Sequence, residues 1–153
     1  MPYLPGGTLA QRLDRPFPWQ TAVQLLLPIA RALAYAHQHG TIHRDVKPSN
    51  ILITESNEPM LTDFGIAKIL ENEPTTTLTG AGVGIGTPEY MAPEQGLGKP
   101  IDGRADLYSL GVVLYEMVTG RKPYIAETPL AVVLKHLTEP LPPPRAFVHS
   151  LPE

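Results

Sequence analysis

Residues 41–50, TIHRDVKPSN, crowd His43, Arg44, Asp45, Lys47 and Asn50 into eight positions. Thirteen residues after Asn50 stands a second acid, Asp63, in TDFG. A carboxylate, an amide and a second carboxylate on neighbouring loops could bind Mg²⁺ through oxygen ligands. A lysine beside them could hold a phosphate as a point charge. Taken singly, each of these residues is an ordinary solvated surface group. Only their order and crowding suggest chemistry. The other histidines, His37, His39, His136 and His149, have no partners at metal-ligand spacing, so the sequence gives them no metal role.

Such a set needs rigid elements on either side. Upstream, residues 19–39 predict a long helix. Val23, Leu26, Leu27, Ala30, Leu33, Ala34 and His37 recur at three- and four-residue spacing, Pro28 predicts a kink, and Gly40 predicts the stop. Before it, residues 8–13 predict a short helix capped by Thr8, while the opening MPYLPGG shows no strand partner. Downstream, residues 51–53 and 60–62 are β-prone and separated by turn residues, which predicts a small hairpin. Residues 71–88 predict a long loop rich in Thr and Gly. Residues 102–119 predict a helix apolar on nearly every face, hence central, with Gly120 as its stop. Residues 129–138 predict a third helix, and EPLPPPR predicts an extended linker of polyproline character. The expected fold class is mainly α with one small β-hairpin.

The composition narrows the function. The chain has 153 residues, 42% of them hydrophobic and 18% charged, enough apolar material for a core. A formal charge of −3 argues against a partner bound by neutralising nucleic-acid phosphates. There is no cysteine, which excludes disulfides and thiolate zinc sites and suits a reducing cytoplasm. Neither a signal-type apolar run at the start nor an apolar stretch of membrane-spanning length is present, so no membrane contact is expected of this segment.

Four ordered motifs then carry a resemblance. His43-Arg44-Asp45-Val46-Lys47-Pro48-Ser49-Asn50 resembles the catalytic loop of eukaryotic-type protein kinases. Asp63-Phe64-Gly65 resembles their magnesium-binding motif, and Ala92-Pro93-Glu94, after Gly86-Thr87-Pro88-Glu89-Tyr90-Met91, resembles the end of their activation segment. Asp106 in DLYSLG resembles the family's buried central-helix aspartate. The closest flavour is that of bacterial serine/threonine kinases. The resemblance covers residues 1–145 as a partial kinase domain of hinge, catalytic loop, activation segment and central helices. Residues 146–153 would be a continuation of that lobe, or a linker. The implied fold is the kinase large lobe, cut at both ends.

The resemblance assigns roles. Asp45 would accept the proton of the substrate hydroxyl, and Lys47 would neutralise charge on the transferred phosphate. Asn50 and Asp63 would hold Mg²⁺. Thr87 would bond near Asp45 and Lys47 and shape the substrate site. His43 would be structural, bonding to the backbone near Asp106. Arg44 would receive a phosphate from the activation segment, with Thr77 and Thr79 the best-placed regulatory candidates among Thr75, Thr76, Thr77 and Thr79. ATP, Mg²⁺ and proteins bearing Ser or Thr are the implied cofactors and partners, and the implied location is cytoplasmic, with a membrane anchor conceivable in a longer parent.

No GxGxxG occurs; AGVGIG at 81–86 lies inside the activation segment with no strand before it. The family's glycine-rich loop, strand lysine and helix glutamate are not in this sequence, nor is the later arginine that would pair with Glu94. The chain alone is therefore expected to bind nucleotide weakly and to transfer phosphate poorly. A second reading, of a different class, is a non-catalytic interaction fragment derived from a kinase gene. An aminoglycoside-type phosphotransferase shares the catalytic loop loosely but not the TPEYMAPE segment.

Overall fold

The computed structural model of the chain describes residues 6–64 and 87–152. Gly65, Thr77, Thr79 and the whole Thr- and Gly-rich loop up to residue 86 lie outside the described residues. Within them the architecture is mainly helical with a two-stranded antiparallel sheet.

Helix α1 runs Trp19–Gln38 and ends before Gly40, whose φ of 72° suits a residue without Cβ. It is continuous through Pro28, which lies on the exposed face, so the carbonyl robbed of its donor faces water. The apolar stripe is only partly the one expected, with Leu26 and Leu33 buried and Ala30 packed on the core. Ala22, Leu25, Leu26, Ile29 and Leu33 are buried, whereas Val23, Leu27 and Ala34 are exposed. Both sets obey helical spacing; packing against the central helix selects the former, and Trp19 and Val23 face an open groove instead.

The opening segment does have a strand partner. The Gly7 carbonyl accepts from the Ile53 N–H at 2.9 Å, and Thr8 bridges Leu52. Thr8 then caps a 3₁₀ turn at Leu9–Arg12, with Gln11 bonding back to the Thr8 N–H. The hairpin pairs β1, Ile51–Ile53, with β2, Pro59–Leu61, one residue earlier than expected at the second strand. Ile51 and Ile53 point into the core.

After the short helix α2, Pro93–Gly96, comes α3, Gly103–Thr119, capped by the Asp102 side chain on the Arg104 N–H. Gly120 stops it at φ 73°, where a Cβ would also strike Pro16 at 2.9 Å. Ala105, Asp106, Val113 and Met117 on α3 are buried, with Val113 and Met117 meeting Leu33 of α1 in one core cluster. The helix is not buried all round: Leu107 and Gly111 are exposed and line a groove of about 930 Å³. Apolar side chains line it, Trp19, Val23, Leu114 and Leu151 among them.

Helix α4, Pro129–Thr138, is capped by Thr128 and buries Val132, Val133 and His136. It sits so close to α2 that a Cβ on Gly96 would meet Val133 at 2.3 Å. The proline-rich tail does not run free. It makes a 3₁₀ turn at Pro144–Ala146, Leu151 packs on the core, and Arg121 lies 4.4 Å over the Phe147 ring. No helix among the described residues is long and apolar enough to cross a membrane.

Candidate functional site

The loop between α1 and β1 is built on one buried carboxylate. Asp106, 1% exposed, accepts the His43 N–H at 2.8 Å on one oxygen and the Arg44 N–H at 2.7 Å on the other. His37, in the last turn of α1, adds a third bond at 2.7 Å through Nε2. Two consecutive amides converging on one carboxylate fix the local backbone, and Arg44 takes φ 69°. A left-handed arginine costs energy, and such a cost persists where neighbours over-determine the conformation. His43 is thus structural, but its backbone rather than its ring meets Asp106. The ring Nε2 bonds the Thr62 carbonyl at 2.7 Å and so joins the loop to the end of the hairpin.

The next residues carry the polar cluster. The Asn50 amide donates to the Asp45 carbonyl at 2.8 Å and to its carboxylate at 3.0 Å. Lys47 Nζ lies 2.8 Å from the same carboxylate oxygen. Asp45 is thus held from two sides, yet its side chain is 41% exposed and can be approached. Pro48 starts the 3₁₀ turn Pro48–Asn50, which delivers Asn50 to the mouth of β1. There the Thr62 N–H bonds the Asn50 carbonyl at 2.9 Å, continuing the hairpin ladder beyond Ile51 and Leu61. Asn50 and Asp63 therefore flank one end of the hairpin. Asp63 is exposed at φ 64°, its carboxylate touched among the described residues by the Thr62 hydroxyl alone, at 3.4 Å. Phe64, beside it, meets the His43 ring edge-on at 4.7 Å.

The donor set suits a hard cation. Asn50 spends its NH₂ on Asp45, its amide oxygen accepts no side-chain or backbone hydrogen bond among the described residues, and Asp63 offers an exposed carboxylate. Two oxygen ligands, with water and phosphate oxygens supplying the rest, is the usual Mg²⁺ arrangement. No group of three or more His, Cys, Asp or Glu side chains gathers among the described residues, so a site for softer metals is not offered there.

Thr87 stands at the N-cap of the 3₁₀ turn Pro88–Tyr90. It shares a recess of about 30 Å³ with Arg44, Asp45, Tyr90 and Met91, though its hydroxyl makes no hydrogen bond to Asp45 or Lys47. Gln95 of α2 closes the wall by donating to the Arg44 carbonyl at 2.9 Å. The structure thus brings Asp45, Lys47 and Asn50 into direct contact, sets Asp63 beside them and places Thr87 in the recess with Asp45. Glu94 lies nearby, half-buried, and makes no ion pair among the described residues.

Two contributors escaped the sequence. His37 has nothing in its spacing to connect it to Asp106, which lies 69 residues away. His136 is likewise a long-range partner. It bonds Tyr108 at 2.6 Å and the Glu89 carbonyl at 3.1 Å, while Lys122 meets the Glu89 carboxylate at 3.1 Å. Burial lowers the His136 pKa, partly opposed by the Glu89 carbonyl and charge. The folded state thus binds this proton less readily than the unfolded chain. Stability from this group is full above the unfolded pKa of about 6.5 and is lost as pH falls through the folded value. The urea midpoint should therefore drop between about pH 7 and pH 5, and drop less in His136→Gln. Equal pH slopes in both proteins would defeat this expectation.

Residues 1–142 match the family model described as the protein kinase domain. Serine/threonine-protein kinase PknB of Mycolicibacterium smegmatis is 43% identical over 156 residues, covering 100% of this chain and 25% of that protein. PknB of Mycobacterium leprae is 44% identical over 146 residues, 94% of this chain and 23% of that protein. The DNA damage-responsive serine/threonine-protein kinase RqkA of Deinococcus radiodurans is 40% identical over 157 residues, 100% of this chain and 23% of that protein. The chain spans about a quarter of the length of these relatives. A family model covering nearly the whole sequence, over a helical lobe with the motif residues gathered at one loop, establishes that the chain belongs to the protein kinase family.

Proposed function

We propose that this chain supplies the catalytic loop and substrate platform of a serine/threonine protein kinase. The observation that carries the reading is Asp45, approachable from solvent yet fixed by Asn50 and Lys47. A hydroxyl placed against Asp45 would give up its proton to the carboxylate as its oxygen attacks the γ-phosphorus of ATP, with ADP leaving. Lys47, already at the carboxylate, is within reach of the incoming phosphate and would offset its charge. Asn50 and Asp63 would hold Mg²⁺, which when bound neutralises charge on the phosphates. Thr87 would border the acceptor peptide. A lysine two residues after the aspartate, with that threonine, favours Ser and Thr acceptors. ATP supply places the activity in the cytoplasm.

We also assign a regulatory role to Arg44 with Thr77 or Thr79. The segment that carries these threonines leaves from Phe64, against His43, and returns at Thr87, in the recess with Arg44. A phosphate on it brings about −1.5 to −2 charges to that neighbourhood.

Positioning in phosphoryl transfer also draws on a glycine-rich loop, and no GxGxxG occurs within residues 1–153. The test therefore joins the chain to the small lobe of the Mycolicibacterium smegmatis relative and follows phosphate transfer to a Ser/Thr peptide. Transfer should require Mg²⁺, and Asp63→Ala should raise the Mg²⁺ concentration needed for half-maximal rate at least tenfold. An unchanged Mg²⁺ dependence would remove Asp63 from the metal site.

A further inference from the structure

We propose that His136 of α4 is a positioning residue for the acceptor site, acting by seating the turn that carries Thr87. The proposal rests on the kinase reading above and adds a residue to it. The turn is Pro88–Tyr90, and it has little backbone bonding of its own. Pro88 and Pro93 bring no N–H, leaving the 3.2 Å bonds from Tyr90 to Thr87 and from Met91 to Pro88. Side chains must hold it. Tyr90 donates its hydroxyl to Glu116 of α3, and Glu89 pairs with Lys122 just beyond α3. Its hydrogen bond to α4 comes from His136.

The His136 contacts define its state. A carbonyl can only accept, so Nε2, 3.1 Å from the Glu89 carbonyl, carries the hydrogen. Nδ1 is then bare and accepts the Tyr108 hydroxyl at 2.6 Å. One tautomer satisfies both neighbours, and the Tyr124 ring packs edge-on at 4.7 Å. The residue is 7% exposed, so water cannot easily replace the donor it gives to Glu89. From there the line to the site is short. The same turn presents Thr87, Tyr90 and Met91 to the recess shared with Asp45. A loosened turn would misplace the acceptor peptide and leave Asn50 and Asp63 where they are.

The experiment compares amide hydrogen exchange in the 153-residue chain with His136→Leu, His136→Gln and Tyr108→Phe. Tyr90 and Met91 amides report the turn; Ile53 and Val113 report the core. In His136→Leu, protection of Tyr90 and Met91 should fall about tenfold with the core unchanged. His136→Gln, which keeps an N–H donor, should recover most of it, and Tyr108→Phe should lose less than His136→Leu. Unchanged protection in His136→Leu, loss spread evenly over the core, or no recovery in the glutamine variant would each overturn the proposal. This readout needs no phosphoryl transfer, so it stands or falls apart from the kinase reading. In the joined protein, His136→Leu should raise KM for the peptide at least fivefold and leave KM for ATP unchanged. A parallel rise in both would overturn the link to the acceptor site.

Discussion

Asp45→Asn, in a protein joining this chain to a kinase small lobe, should lower kcat by roughly 10²–10⁴, the usual share of a positioned proton acceptor. The expectation follows from geometry. The Asp45 carboxylate is anchored by Asn50 at 3.0 Å and Lys47 at 2.8 Å, and its side chain remains open to a hydroxyl from solvent. Asparagine keeps the shape and one acceptor oxygen, so the anchors survive in part. What it loses is the ability to take a proton. KM for ATP should stay within about twofold, because uniform binding is untouched when only a transition-state interaction is removed. Stability should change by less than about 1 kcal/mol, since a part-exposed ion pair contributes little. Rapid-quench single-turnover rates separate the chemical step from product release. A variant with more than a tenth of the wild-type chemical rate would show that Asp45 is not the proton acceptor.

The two halves of this site were unequally legible. Asp45, Lys47 and Asn50 sit within six residues, so one loop must carry them together whatever the tertiary structure. Asp63 was legible because a hairpin of this length returns the chain to where it began, and the Thr62–Asn50 bond shows that return. The Thr8 cap and the Gly120 stop were equally local and the structure has both. The failures all needed partners distant in sequence. Val23 and Leu27 obey helical spacing as well as Leu25 and Ile29 do, and only the place of α3 decides between them. His37 and His136 carried no spacing signal because their partners lie 69, 47 and 28 residues away. The proline-rich tail was legible in part, since residues 140–143 are extended as expected. Prolines specify an extended path, but Leu151 and the Arg121–Phe147 contact decide that the path lies on the lobe.

Asp106→Ala should cost about 3–6 kcal/mol, enough to consume much of a typical domain's 5–15 kcal/mol. Burying a carboxylate is itself unfavourable, so its presence in the core needs a reason. The reason is the loop it serves. His43 and Arg44 present two consecutive N–H groups toward the core, with no strand or helix to receive them. Asp106 accepts both, and His37 supplies a third donor to the carboxylate. Truncation to alanine strands the two backbone amides, at roughly 1–3 kcal/mol each, while His37, whose side chain is 20% exposed, can turn to water and adds less. It also removes what holds Arg44 at φ 69°, so the backbone there should relax and carry Asp45 away from its place. Asp106→Asn should be intermediate. Its amide keeps one acceptor for one N–H but turns an NH₂ toward the other donors, so about 2–3 kcal/mol is expected. Urea unfolding followed by circular dichroism gives both values. The side-chain resonances of Asn50, which bonds Asp45, report whether the loop has moved. A loss under about 1 kcal/mol in the alanine variant, a fifth or less of typical stability, would mean that water or another group can take over both amides. The catalytic loop would then be held in place without its buried carboxylate.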